Sequence, residues 1–517
     1  MGGRTEKPVA GAPLRSNPEA HLRTDHLRHD VAGRSVRGGA ITVVAQLVKV
    51  VAQFGVTVIL ARLLRPEAFG LVAMVAVIVA FLELFKDFGL SAATVQRETI
   101  THDDVSALFW VNAGLGVTAG LLMIPLAPLL AWFYGQPALI GVTLWLAIGF
   151  VLSGLSTQHL ALLRRQMRFT ALAMILMWSE ITGMTAAVIA AYAGADYWAL
   201  VVQRLVWILC IAAGAWTFCP WRPGRPAGLG RVRALLRFGG HVTGSNLVGT
   251  FARNLDQILI GWYWGATPLG LYERAYKILL VPINNLNAPL YSVAMPALSR
   301  LADQPARYRR AYLGTVEKLN MVTMPCAALL IAVPGPVVRV LFGPHWLAAT
   351  PIVAWLGVAA LYHPIGYTCS WLFMTQDRTA EMLRWGLIGS ALNAAFVVGG
   401  LPFGPVGVAA SLAAGGLMVR MPLLFWMVGR RGPVSFGNLV RSMLPSSIAA
   451  LLIVGALWPL RGAGLVDGSA PLRSLAIAAA ITVVVALVCF ASLPQSRQAL
   501  VEFAKLPQLL IGRRANA

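Results

Sequence analysis

The sequence predicts an all-α membrane protein with about 14 transmembrane helices, in two pseudo-symmetric six-helix lobes plus two C-terminal helices. Three observations predict this fold class. Of the 517 residues, 58% are hydrophobic and 12% are charged, and the mean hydropathy is +0.70. Apolar segments of about 20 residues recur along the chain, each long enough to cross a hydrocarbon core about 30 Å thick. Positive charge is concentrated in alternate connections between these segments.

The apolar segments define the predicted spans. A water-soluble surface needs about a quarter of its residues charged, so most of this chain must face lipid or other helices. We expect spans at 39–61, 70–92, 106–133, 138–162, 170–193, 197–218, 240–263, 270–298, 315–338, 347–372, 385–401, 404–428, 442–460 and 474–493. Prolines interrupt the pattern between 282 and 334, where kinks are tolerated if neighbouring helices satisfy the freed backbone groups.

The distribution of Lys and Arg predicts the orientation. With these spans, 29 of the 42 Lys and Arg residues lie on the side of the N-terminus, 5 lie on the opposite side and 8 lie within spans. Cytoplasmic loops carry the excess of positive charge. We therefore expect a multi-pass membrane protein with both termini in the cytoplasm.

An internal repeat predicts the domain organisation. Shifting the chain by 200 residues aligns Gly39 with Gly239 and Gly70 with Gly270. The shift corresponds to six spans, an even number, so both halves share one orientation, and substrate sites of such repeats lie between them. The expected order is a basic cytoplasmic tail (1–38), a first lobe (39–218), a basic cytoplasmic linker (219–239), a second lobe (240–429), and a last pair of helices with a C-terminal tail (430–517).

Polar side chains form a stripe on the first helix of each predicted lobe. Gln46, Lys49 and Gln53 share one face of span 39–61, and Asn246 and Arg253 share one face of span 240–263. Both stripes predict the lining of a central water-filled cavity that binds an anion. The alternative is that they are hydrogen-bonding contacts between helices.

The start of span 270–298 carries three adjacent charges. Glu273 and Lys277 stand four residues apart and could pair, while the guanidinium of Arg274 would remain free to bind a phosphate. Arg274 and Lys277 are both candidates for binding the anion in the cavity, together with the cations of the two stripes. The alternative is a salt-bridged helix entry near the lipid headgroups.

Four other charged residues within spans are candidates for coupling or gating, because a charge at the centre of a membrane helix costs about 2.5–3.5 kcal/mol. Glu180 is a candidate proton site, with pairing to Arg204 or Arg253 as the alternative. Asp256 is expected to pair with Arg253, three residues away. The other two candidates are Arg204 and Arg420, on the sixth helix of each lobe.

Several function classes are excluded by missing motifs. The five cysteines form no CxxC pair, and no histidine has metal-ligand spacing to another ligand, so neither a metal site nor a cofactor is expected. No nucleotide-binding or hydrolase motif is present. The net charge of +22 lies in short loops without any RNA- or DNA-binding motif, so no nucleic-acid partner is expected.

Four stretches resemble a known family. They are RSVRGGAITVVAQ (34–46), LARLLRPEAFGLVAM (60–74), FKDFGLSAATVQR (85–97) and DQILIGWYWGATPLGLYERAYKI (256–278). With the helix arrangement, they resemble the polysaccharide transporter family of Wzx-type flippases, within the multidrug/oligosaccharidyl-lipid/polysaccharide exporter superfamily. The resemblance implies a V-shaped two-lobed fold that works by alternating access.

The implied substrate is an isoprenoid-pyrophosphate-linked oligosaccharide repeat, flipped across the inner membrane for exopolysaccharide, capsule or O-antigen assembly. Expected partners are this lipid-linked oligosaccharide, membrane lipids, and the polysaccharide polymerase and chain-length machinery. Alternatives within the superfamily are a lipid II flippase and a cation/drug antiporter. A membrane polysaccharide polymerase or ligase is the alternative from another class, but it would need a long external loop that the sequence lacks.

Overall fold

The computed structural model describes residues 53–87, 90–97, 100–225, 233–466, 470–493, 496–497 and 500, and these residues contain no strand. The chain divides into two compact units. The first unit comprises Met1–Leu60 and Val75–Thr250, and the second comprises Ala61–Met74 and Phe251–Ala517. The short segment Ala61–Met74 thus belongs to the second unit, although it lies within the predicted first lobe.

The first half of the chain is built from α1 to α7. Their bounds are Gln53–Leu63 (α1), Pro66–Asp87 (α2), Leu90–Gln96 (α3), His102–Tyr134 (α4), Ala138–Arg165 (α5), Phe169–Tyr192 (α6) and Trp198–Phe218 (α7). Thr101 caps α4 reciprocally with Asp104, which explains why this helix begins four residues before the predicted span.

The second half is built from α8 to α17. Their bounds are Arg233–Trp264 (α8), Ala266–Arg300 (α9), Pro305–Ala332 (α10), Pro334–Leu341 (α11), Thr350–Thr375 (α12), Thr379–Gly400 (α13), Gly404–Gly415 (α14), Met421–Gly429 (α15), Phe436–Gly462 (α16) and Pro471–Ser492 (α17). Despite its internal prolines, α9 is one continuous helix.

Ten segments of the described chain are long and apolar enough to cross a membrane, so this is a multi-pass membrane protein. One of them, Thr379–Gly429, covers two of the predicted spans. The helices α8 and α9 are 32 and 35 residues long and cover two more, although they are not among these ten segments. The first predicted span lies mostly outside the described residues, and the tail 1–38 and residues 501–517 lie wholly outside them. The total of fourteen therefore stays a prediction.

The starts of α2 and α9 cross at two glycines. A Cβ atom at Gly70 would collide with the Ala266 carbonyl, and a Cβ atom at Gly270 would collide with the Pro66 carbonyl. Glycine is required at both positions because the two backbones touch. The glycines are 200 residues apart, as are the two carbonyls they meet, so the contact has the reciprocal form expected of a pseudo-two-fold repeat.

A second pair of matching features lies at the α5–α6 and α12–α13 connections. Met167 and Asp377 both adopt left-handed backbone conformations, with φ of 53° and 54°. The arginine that follows each one caps the end of a later helix. Arg168 donates to a carbonyl at the end of α7 at 2.9 Å, and Arg378 donates to a carbonyl in the last turn of α15 at 3.0 Å. The matching positions are 210 residues apart, whereas the glycines are 200 apart. The second half therefore has ten additional residues between these two features.

Candidate functional site

The helical pair α8–α9 carries two accessible cations at matching depth. Arg253 lies 11 residues before the end of α8, and Lys277 lies 11 residues after the start of α9. At 1.5 Å per residue, both are about 16 Å from the connection, about half way through a hydrocarbon core. Both side chains are exposed in the protein. Two cations on consecutive helices are therefore accessible at the same distance from the α8–α9 connection.

The three charges at the start of α9 differ in accessibility. Glu273 pairs with Lys277 one turn away, as the spacing predicts, and its other carboxylate oxygen lies 3.1 Å from Nε of Arg274. The guanidinium of Arg274 lies over the Phe69 ring, 3.9 Å from the centroid. The side chains of Glu273 and Arg274 are each 10% exposed, whereas that of Lys277 is 49% exposed.

In this conformation the guanidinium of Arg274 is not free, which favours a salt-bridged start of α9, and its phosphate-binding role stays a prediction. The side chain is buried, ion-paired and covered by an aromatic ring contributed by α2. Lys277 is the cation of this group that a ligand can reach.

Asp256 links α8 to α9. The Tyr272 hydroxyl donates to one of its carboxylate oxygens at 2.7 Å, and the backbone N–H of Gln257 donates to the other at 2.9 Å. Asp256 is 4% exposed, so these bonds compensate for the burial of its carboxyl group. Its pairing with Arg253 stays a prediction.

Arg420 connects to α8 through an asparagine. Its Nη1 lies 3.5 Å from Oδ1 of Asn393, whose Nδ2 donates to the Ala252 carbonyl at 3.2 Å. Arg420 ends a π-helical turn, Gly416–Arg420, between α14 and α15. Just before this turn, the Tyr362 hydroxyl donates to a backbone carbonyl of α14. π-helical turns are common at functional sites, which is consistent with a gating role for Arg420.

A polar network crosses the first unit. Arg204 on α7 pairs with Glu83 on α2 at 2.7 Å, and its guanidinium lies 4.5 Å from the centroid of the Trp207 ring. The Trp207 indole donates to Glu180 on α6 at 3.1 Å. Trp207 thus connects the two candidate coupling residues, and the carboxylate that pairs with Arg204 is Glu83.

A cleft lies beside this ion pair. Glu83 and Arg204 form part of its wall, and the remainder is mainly apolar, with Phe150 from α5 and Leu205 and Ile208 from α7. The cleft therefore places one ion pair against hydrocarbon side chains.

Part of the predicted polar stripe lies outside the described residues. Gln46 and Lys49 precede the described chain, and the side chain of Asn246 is not described, although its backbone is part of α8. Gln53 is the first residue of α1 and is exposed. The binding roles of these four residues stay predictions.

Two residues that complete these groups are not indicated by the sequence, and a third, Glu83, is indicated only as a carboxylate within span 70–92, without its partner Arg204. Asn393 could have been found as a polar residue in span 385–401, and Phe69 lies in one of the family-like stretches. Among the described residues, no three His, Cys, Asp or Glu side chains form a group that could hold a metal ion.

This chain is similar to a protein family, to several related sequences and to solved structures of membrane transporters. A family model described as polysaccharide biosynthesis protein matches residues 59–351. The lipopolysaccharide biosynthesis protein WzxC of Escherichia coli (strain K12) is 26% identical over 357 residues, which are 68% of this chain and 72% of that protein. The teichuronic acid biosynthesis protein TuaB of Bacillus subtilis (strain 168) is 27% identical over 328 residues, 62% of this chain and 68% of that protein.

A third relative, the succinoglycan biosynthesis transport protein ExoT of Rhizobium meliloti (strain 1021), is 29% identical over 314 residues, 60% of this chain and 63% of that protein. Among solved structures, the lipid II flippase MurJ in an inward closed conformation matches with a TM-score of 0.69 and 14% identity, covering 87% of this chain and 97% of that one. An inward-facing MATE multidrug resistance transporter matches with a TM-score of 0.54 and 13% identity, covering 80% and 98%. At these identities the likeness establishes the fold.

Proposed function

Because the chain belongs to the polysaccharide biosynthesis protein family, as its sequence resemblance predicted, we propose that it flips an isoprenoid-pyrophosphate-linked oligosaccharide repeat across the bacterial inner membrane. The substrate would serve exopolysaccharide, capsule or O-antigen assembly. The protein acts as a transporter rather than an enzyme. In this proposal it has fourteen spans, in two six-helix lobes and a final pair, with both termini in the cytoplasm.

The position of Arg253 and Lys277 is the observation that carries this proposal. A pyrophosphate crossing the bilayer needs positive groups at membrane depth, because an uncompensated anion there is strongly disfavoured. Both side chains are exposed, each about a third of its helix away from the α8–α9 connection. They are proposed to hold the pyrophosphate with Lys49, and the polar side chains of Gln46, Gln53 and Asn246 would contact the sugars. The lipid tail stays in the membrane.

Alternating access completes the proposed mechanism. The reciprocal contact of Gly70 and Gly270 would separate when the cavity opens to the outside. Glu180, Arg204, Asp256 and Arg420 are proposed to couple substrate binding to this change, since each lies within a helix and carries a charge. Arg274 would fix the start of α9 in this conformation. Export of an anion from a cell that is negative inside is favoured by about 2.3 kcal/mol per charge per 100 mV.

The polysaccharide polymerase and chain-length machinery are the proposed partners, because they would consume the product of the flippase. A lipid-linked repeat delivered to the outer leaflet is the substrate that such a polymerase needs.

Complementation tests this function. In a strain that lacks the gene, Arg253→Ala and Lys277→Ala should each reduce polysaccharide export about tenfold or more, because each removes a charge-assisted contact worth about 1.5–3 kcal/mol. Arg300→Ala is the matched control, since Arg300 is an exposed cation at the far end of α9. Wild-type export by both cavity variants, at equal protein level, would contradict the assignment.

A further inference from the structure

The start of α13 and the end of α15 adjoin in the second unit. Arg378, the residue before α13, donates to the carbonyls of Met427 and Val428 in the last turn of α15, at 3.1 and 3.0 Å. It also pairs with Glu381 at 2.7 Å, and its side chain is 10% exposed. Arg378 therefore joins the two helix ends through contacts made within the protein.

Three other arginines lie around this α13–α15 junction, and their side chains are exposed. Arg384 is on α13, three residues after Glu381, and Arg430 and Arg431 follow the end of α15. Nη1 of Arg431 lies 3.9 Å from a carboxylate oxygen of Glu381, and Arg384 also interacts electrostatically with that carboxylate. One carboxylate thus faces several cations.

The positive charge of the junction is not balanced by the chain. The segments 376–384 and 426–432 contain four arginines and two acidic residues, which leaves a charge of +2. Within the described part of the chain, Arg384 and Arg430 donate to no protein acceptor, and Arg431 makes only the 3.9 Å contact. Since each guanidinium has five N–H donors, the junction has donors available for an anionic ligand.

Exposed apolar side chains lie one turn deeper than two of these arginines. On α13, Leu387 is three residues after Arg384 and is 57% exposed. On α15, Trp426 is four residues before Arg430 and is 52% exposed, and the Arg430 guanidinium lies 4.4 Å from the centroid of its ring. Because α13 starts here and α15 ends here, both helices place a cation outside an apolar surface. Headgroups and acyl chains have the same order at a membrane surface, where tryptophan is enriched.

The corresponding place in the first unit has its partners within the chain. Trp216 is 210 residues before Trp426, and the guanidinium of Arg222 lies 5.3 Å from the centroid of the Trp216 ring. There, Arg222 donates to the carbonyls of Cys219 and Trp221 at 3.0 and 2.9 Å, and the Trp216 indole donates to a backbone carbonyl of α5 at 3.1 Å. The arginine at the end of α15 has no such bonds among the described residues, so its donors remain for a ligand from outside the protein.

We propose that the α13–α15 junction binds an anionic glycerophospholipid of the adjoining leaflet, with cardiolipin as the preferred class. Arg384, Arg430 and Arg431 hold the phosphates, and the acyl chains lie along the exposed apolar side chains of α13 and α15. Cardiolipin carries two phosphates, which match the charge of +2. In the proposed orientation this leaflet is the cytoplasmic one. The ligand is a lipid of the surrounding membrane and not the transported substrate.

Native mass spectrometry of the purified full-length protein in detergent micelles tests the site. The probes are tetraoleoyl cardiolipin, dioleoyl phosphatidylglycerol and dioleoyl phosphatidylcholine. Cardiolipin should bind most tightly and phosphatidylcholine most weakly. Arg384→Ala and Arg430→Ala should each raise the Kd for cardiolipin about fivefold, and the double variant about 25-fold, because each arginine at a membrane surface contributes a similar share of the attraction to anionic lipid.

Arg300→Ala is the matched control, since Arg300 is an exposed cation in the last turn of α9, a helix that is not part of the junction. It should leave the Kd for cardiolipin unchanged. A second measurement is the midpoint of thermal unfolding. Cardiolipin should raise this midpoint in the wild type, because a bound lipid bridges the two helix ends as Arg378 does, and should raise it less in Arg430→Ala.

Four results would overturn the site. They are an unchanged Kd in both arginine variants, equal binding of phosphatidylcholine and cardiolipin, an equal rise of the Kd in Arg300→Ala, and displacement of cardiolipin by millimolar inorganic phosphate. The third would indicate diffuse surface charge, and the fourth an anion site without lipid selectivity. Equal binding of phosphatidylglycerol would overturn only the preference for two phosphates. If one arginine variant does not fold, the other still decides the matter. Flipping activity does not enter this test, because none of the three arginines is among the residues proposed for transport.

Discussion

The crossing of α2 and α9 gives the sharpest prediction, because it has no room for a methyl group. In Gly70→Ala, the new Cβ would overlap the Ala266 carbonyl, whose carbon would lie 2.5 Å away. The helices would have to move apart by more than about 1 Å to restore normal contact. Overpacking of this kind costs about 1–3 kcal/mol. If the contact is made only while the outer side is closed, this cost shifts the equilibrium toward the open state by about 5- to 150-fold.

Gly270→Ala should have a similar effect, because its Cβ would lie 2.8 Å from the Pro66 carbonyl carbon. The overpacking free energy in the double variant should be smaller than the sum of the values for the two single variants, since one separation of the helices relieves both overlaps. Gly386→Ala on α13 is the matched control, as nothing lies within 4 Å of a Cβ atom there.

Thiol labelling measures the shift. Ala68 is 1% exposed and neighbours the crossing, so in a variant whose five native cysteines are replaced, Ala68→Cys should react slowly with a membrane-impermeant maleimide added outside. Gly70→Ala and Gly270→Ala should each raise that rate about 5- to 150-fold, and Gly386→Ala should leave it unchanged. Equal rates in all the folded variants would refute the reasoning.

Two further predictions concern the packing around these sites. Trp346→Phe removes the hydrogen bond that the indole N–H donates to the Ala61 carbonyl at 2.6 Å, which is worth about 1 kcal/mol. It should therefore raise the rate of maleimide labelling at Ala68→Cys about fivefold. Arg378→Ala should lower the midpoint of thermal unfolding more than Arg168→Ala, because Arg378 also pairs with the Glu381 carboxylate at 2.7 Å. Equal midpoints in the two variants would contradict this.

Local patterns in the sequence predicted local features well. The four-residue spacing of Glu273 and Lys277 is sufficient for an ion pair, and that pair forms. Apolar segment length located the membrane helices, because a span must exceed the thickness of the hydrocarbon core. The repeat aligned Gly70 with Gly270 but could not show that they touch, since alignment gives equivalence and not distance.

Contacts between distant parts of the chain could not be predicted in this way. In the structure the guanidinium of Arg274 pairs with the adjacent Glu273 and lies over the ring of Phe69, about 200 residues earlier, and the spacing of charges does not predict that ring contact. Glu83 and Arg204 are 121 residues apart and pair only because α2 and α7 both border the same cleft. Single-sequence periodicity reports which face a residue occupies and not which helix lies opposite.

Flipping by the purified protein in proteoliposomes tests the central claim most directly. An isoprenoid-pyrophosphate-linked oligosaccharide with a fluorescent sugar would be incorporated, and its arrival in the outer leaflet would be detected by an impermeant quencher. The account predicts flipping that requires the protein and falls about tenfold or more in Arg253→Ala. Flipping at the wild-type rate in that variant, or transport of an organic cation with no movement of the lipid-linked sugar, would contradict it.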